Sequence, residues 1–87
     1  MQFEGAVIKE QGITFAIVIV KAHVLDNRSE ADGLITTFQR QAFRGIPVVL
    51  MTQNSRGTPK YYGRTDIVRF LSHVPVHAIP WKRYSLS

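Results

Sequence analysis

Two short clusters mix aromatic rings with cations: Lys60, Tyr61, Tyr62 and Arg64, and nearer the C-terminus Trp81, Lys82, Arg83 and Tyr84. Rings that stack on bases and cations that hold phosphates are what single-stranded nucleic-acid binding requires. On a strand, however, Tyr61 and Tyr62 point to opposite faces, so only one of them joins any given platform. The plainer reading gives one tyrosine to the core and the other to the rim. Lys60 then guards a sheet edge, and Trp81 is a core residue or an interface anchor. These eight residues are the candidate binding surface.

Catalytic parts are scarce by comparison. His73 and His77 have the spacing of paired metal ligands on a helix, but Pro75 between them breaks a helix, and no carboxylate or cysteine stands near to complete a four-ligand site. No GxSxG elbow marks a nucleophile. Gly57-Thr58-Pro59-Lys60 lacks the spacing and the following helix of a phosphate-binding loop. Asp26, Asp32 and Asp66 are all explicable as turn or helix-start residues. The expectation is a protein that is not an enzyme and carries no cofactor or metal.

At 87 residues the chain is long enough for one domain, 1–87, since halves of it would be too small to bury a core. A hydrophobic fraction of 45%, with five Phe, three Tyr and one Trp, is that of a folded chain. Eleven Lys and Arg against six Asp and Glu give a formal charge of +5, compatible with a polyanionic partner, yet the cations are scattered without a run of three. The absence of cysteine excludes disulfides and thiol chemistry and suits a reducing cytosol. Glu4 stands where a signal peptide would be basic, and the apolar block Phe15 to Val20 is far short of the roughly 20 residues that cross a bilayer. The expectation is therefore a cytoplasmic protein with no membrane partner.

Residues 3 to 9 and 13 to 20 read as a hairpin about Glu10-Gln11-Gly12. In its second arm Ile13, Phe15, Ile17 and Ile19 point one way and Ala16, Val18 and Val20 the other, so both faces are apolar. Ser29 resembles an N-cap, Ala31, Leu34, Ile35, Phe38 and Ala42 form a helical stripe, and Gly45 is a natural stop. Val48 to Gln53 is a second buried strand, Asn54 to Gly57 a turn, and Thr58 to Tyr62 a short edge strand. Thr65 can cap a second helix whose buried face is Ile67, Phe70, Leu71 and Val74, with His73 suited to its negative end and Pro75 ending it. The tail carries Pro75 and Pro80 and belongs on an edge, if it joins the sheet at all. The order is β-β-α-β-β-α-β, an α+β (α/β) domain with a mixed sheet of about five strands and two helices.

The stretch RGIPVVLMTQNSRGTPKYYGRTDIVRFL, residues 44–71, resembles the C-terminal half of a thioredoxin-like domain: Ile-Pro before a strand, a hairpin, a glycine, then a helix. By that resemblance Pro47 takes the family's cis-proline position. The Cys-x-x-Cys motif is missing, Val48 stands where the family often has Thr, and an extra strand follows the helix, so no redox activity is implied. A ferredoxin-like βαββαβ core from Phe15 to Trp81 fits the same order.

Strands apolar on both faces forbid a sheet face open to water, because exposing it would forfeit several kcal/mol at about 25 cal/mol per Å². Either the two helices take opposite faces, or a second subunit covers the bare one. The small size of the chain favours the second. The expected function is thus a small non-catalytic protein-interaction module that self-associates, as a homodimer, through its sheet. The alternative is a single-stranded nucleic-acid binder using the two clusters.

Overall fold

The structure, a computed structural model, describes residues 1–10 and 12–86. The strands are β1 (Gln2–Glu10), β2 (Ile13–Ile19), β3 (Val48–Gln53), β4 (Pro59–Tyr62) and β5 (Lys82–Ser85), and the helices are α1 (Arg28–Gln41) and α2 (Thr65–Leu71). Short 3-10 turns at Ala22–Asp26 and Val76–Ala78 complete the connections. The chain is a single α+β domain with one mixed five-stranded sheet and two helices, in the element order that the sequence predicts.

The strands lie in the order β4-β3-β2-β1-β5. The hairpin pair β1 and β2 is antiparallel, β2 and β3 are parallel neighbours, and β4 and β5 run antiparallel to β3 and β1. Because β2 and β3 touch directly, β2-α1-β3 is an unsplit crossover, which separates this sheet from the ferredoxin-like alternative, whose βαβ units are split. After β4 the chain crosses the whole sheet to place β5 on the opposite edge. Pro47 precedes β3 as the thioredoxin-like resemblance suggests, but no peptide bond among the described residues is cis.

Alternation along β2 distributes its side chains as expected. Ala16 and Val18 join Leu50, Ala31 and Phe38 in a core beneath α1, while Phe15 and Ile17 join Val49, Met51, Ile67 and Leu71 in a core beneath α2. The helices therefore cover opposite faces, and Val18 and Met51 are fully buried within one chain. This corrects the expectation of a bare face that a second subunit must cover. That expectation rested on how little material 87 residues hold for three layers, and α2 alone, at seven residues, is indeed short for one. The tail makes up the difference: Val74, Val76, Ile79 and Trp81 extend the layer that α2 begins.

The helix starts also differ from the sequence reading. Asn27, not Ser29, caps α1, its side-chain oxygen accepting the Glu30 N–H at 3.1 Å. At α2 the capping position falls to Arg64, and Thr65 is the first helical residue. Helix α1 ends at Gln41, ahead of Gly45, and α2 ends at Leu71, ahead of Pro75. His73 lies past that end with its Nδ1 3.0 Å from the Arg69 carbonyl, which also accepts the Ser72 hydroxyl at 2.6 Å, so side chains satisfy a carbonyl of the last turn. Gln11 of the expected hairpin turn lies outside the described residues.

Candidate functional site

The sheet order separates the two aromatic and basic clusters. Lys60, Tyr61 and Tyr62 are on β4 and Lys82, Arg83 and Tyr84 on β5, at opposite edges and roughly 19 Å apart at the usual strand spacing. Their rings also divide between faces, Tyr62 and Tyr84 packing on the α1 core and Tyr61 and Trp81 on the α2 core. Tyr84 stacks on Phe3 with centroids 5.3 Å apart and planes at 10°. The Trp81 indole donates to the Val76 carbonyl at 3.0 Å. These rings are engaged in packing, and the eight residues form no common platform. Lys60, Lys82 and Arg83 are exposed. Arg64 is fastened to Asp66 by two hydrogen bonds of 2.8 and 2.9 Å, which hold the Asp66 carboxyl below its ordinary pKa.

His73 and His77 do not share a helix, since α2 stops before either. Among the described residues no three His, Asp or Glu side chains gather as metal ligands, and no helix is long and apolar enough to cross a membrane.

Tyr61 carries an unusual load. Its hydroxyl is buried without a hydrogen-bond partner among the described residues, and burial raises its pKa. Removing that orphan oxygen in Tyr61→Phe is expected to stabilise the domain by about 1 kcal/mol. Thermal unfolding should register this as a rise of roughly 4–8 °C; an unchanged or lower midpoint would mean that the hydroxyl is satisfied.

Strand edges are where this sheet meets solvent, and backbone parity shows what each edge offers. Met1 and Leu86 exchange both hydrogen bonds, at 3.1 and 2.8 Å, so the odd residues of β1 aim their N–H and C=O groups toward β5. Pairing with β5 stops at Gly5, whereas β1 continues to Glu10. Val7 and Lys9 thus present two donors and two acceptors with no backbone partner among the described residues. Val7 is 41% exposed, and an open hollow of about 410 Å³, floored by Ile8, Phe70, Val74, Ile79 and Pro80, lies alongside. The β4 edge offers less, since Pro59 has no N–H to give. Sequence reading missed the open half of β1 because its signal is the shortness of β5, not any residue in β1.

A second concavity, of about 860 Å³, runs beside α1 where β4 ends. Arg28, Asp32, Ile35 and Gln39 form its helical wall, spanning about 16 Å at 1.5 Å per residue. Tyr62, Gly63 and Arg64 form the other wall, and Ile46, Pro47 and Val48 the floor. Tyr62 donates its hydroxyl to Asp32 at 2.7 Å, and that bond to a carboxylate keeps the phenol protonated above its ordinary pKa. Gly63 has φ +156°, and a Cβ there would sit 3.2 Å from the Val49 Cα, so only glycine lets the chain leave β4 this close to β3.

Comparison with known proteins finds no matching family model, no similar curated protein and no similar solved structure.

Proposed function

We propose that the chain is a non-catalytic protein-interaction module that pairs with a second copy of itself through the open half of β1, edge to edge rather than face to face. One observation carries this reading: β1 outruns β5 and leaves the main-chain groups of Val7 and Lys9 open beside an apolar hollow. Since its own helices cover both faces of the sheet, an edge is where the sheet can extend. An antiparallel copy placing Val7 of one strand opposite Lys9 of the other satisfies all four groups on each strand and sets the two Ile8 side chains together on the α2 face. Lys9 and Glu10 temper this edge, as charges on exposed strands do. A contact this small fits a weak dimer, with a Kd of roughly 0.1–1 mM. Lacking cysteine, the module has no disulfide to lose in the reducing cytosol to which we assign it.

Sedimentation equilibrium up to about 1 mM should show a monomer–dimer equilibrium. Val7→Pro removes one outward donor while leaving the β1–β2 ladder, which runs through Ala6 and Ile8, intact, and should shift the equilibrium to monomer. Val7→Lys keeps the backbone and sets like charges opposite each other, with the same expected result. A wild-type chain that stays monomeric, or variants that associate as well as it does, would overturn the proposal. The single-stranded nucleic-acid reading has less ground, because stacking needs free rings on one face, and Tyr84 and Trp81 are committed elsewhere.

A further inference from the structure

We propose that the groove between α1 and the end of β4 binds an extended acidic peptide segment. Three features of the groove converge on that ligand. The first is main chain left open on the floor. Ala16 and Val20 donate to the Pro47 and Met51 carbonyls, so the odd residues of β3 face β2 and the even ones face β4. Leu50 and Thr52 have Tyr62 and Lys60 opposite them, but the chain turns away at Gly63, and Val48 receives no backbone hydrogen bond on that side among the described residues. Val48 is buried, and a buried backbone N–H and C=O pair without partners is rare in a folded chain unless something else reaches it. An extended segment lying where β4 would have continued supplies those partners.

The second feature is charge. Arg28 stands at the first turn of α1 and forms no ion pair among the described residues, and its field reaches the Tyr62 hydroxyl. Asp32, one turn further along α1, keeps its negative charge while its Oδ1 accepts the Tyr62 hydroxyl at 2.7 Å, but it forms no ion pair with Arg28, and Asp66 is taken by Arg64. The guanidinium of Arg28 is therefore available to a carboxylate, in the two-pronged geometry that arginine favours. The third feature is shape. The groove is open and about 16 Å long, room for about five residues at 3.3 Å each, with Ile46 and Pro47 on its floor and Ile35 in its helical wall giving apolar contact beside the polar Arg28, Asp32 and Gln39. A single phosphate or a planar base would leave most of that length and the Val48 main chain unused.

This site is independent of the β1 edge, which lies on the far side of β2, so either proposal can fail without the other. The test is an amide NMR titration of the wild-type chain with a capped hexapeptide of alternating glutamate and leucine. Its glutamine analogue and an oligothymidylate serve as the comparison ligands. The acidic peptide should shift the Val48 and Gly63 amides and bind at least about tenfold more tightly than the glutamine analogue. Arg28→Gln should remove that tenfold preference, while Arg69→Gln, a cation on α2 away from the groove, should leave it in place. Equal binding of the two peptides, shifts elsewhere, or no binding at all would overturn the proposal. So would tighter binding of the oligothymidylate at the same amides, which would assign the groove to nucleic acid.

Discussion

Gly5→Ala is expected to destabilise the domain by about 3 kcal/mol, at the upper end of what one extra methyl does in a packed site. Gly5 lies on β1 between both of its neighbours, β2 and β5, and is buried. A Cβ there would stand 2.6 Å from the Ile17 carbonyl oxygen, and that oxygen belongs to the central strand, so no side chain can swing aside to relieve the contact. The rings of Phe3 and Tyr84 already cover the site, each 3.6 Å from the Cβ position. Glycine in mid-strand is ordinarily a weakness. Here the two stacked rings fill the space a side chain would have taken, so the chain keeps its apolar cover without the collision. Urea unfolding of the variant should show a lower midpoint with an unchanged slope. An unfolding free energy within about 0.5 kcal/mol of wild type would mean that β1 and β2 do not approach this closely.

Phe38→Ala should cost about 3–5 kcal/mol, a large share of the roughly 4–13 kcal/mol that a domain of this length holds in total. Phe38 is the residue by which α1 grips the sheet. It is buried, its ring lies 4.8 Å from that of Phe3, and it joins the same core as Val18 and Leu50. Truncation leaves a cavity between helix and sheet that the neighbouring aromatic cluster of Phe3, Phe43 and Tyr84 cannot close without losing its own ring contacts. Phe38→Leu, which retains most of the volume, should lose less than half as much, and the difference between the two variants measures how well the site is packed. An alanine variant as stable as wild type would show that this face is not covered by α1.

Element order was legible in the sequence because it rests on local signals. The alternation of Phe15 to Ile19, the stripe from Ala31 to Phe38 and the Asn54 to Gly57 turn each declare themselves within a few residues, and the structure has them where the periodicities put them. The helix caps were less legible, since Asn27 and Ser29 have nearly equal capping preference and only the path of the preceding 3-10 turn decides between them. That the helices take opposite faces was one of the two readings the sequence left open, and the tail that completes the second layer decides it. Val76, Ile79 and Trp81 lie in a proline-broken stretch that reads as edge strand, yet they pack beside α2 and complete the layer. The candidate site divides in the same way. Tyr62 and Arg64 do line a groove, but Arg28, Asp32 and Val48 join them through the β2-α1-β3 crossover, which brings together residues far apart in the chain. Trp81 to Tyr84 fell to the other edge because β5 pairs with β1, a long-range choice that composition does not encode.

Self-association through β1 can be tested at the atoms it involves. Amide hydrogen exchange at Val7 and Lys9, followed by NMR between about 20 µM and 1 mM, reports whether their outward donors find partners as the protein is concentrated. Slowing by at least about twofold at these two residues, with Arg83 on the outer side of β5 unchanged, is the expected result. Exchange at Val7 and Lys9 that stays fast and independent of concentration would contradict the account.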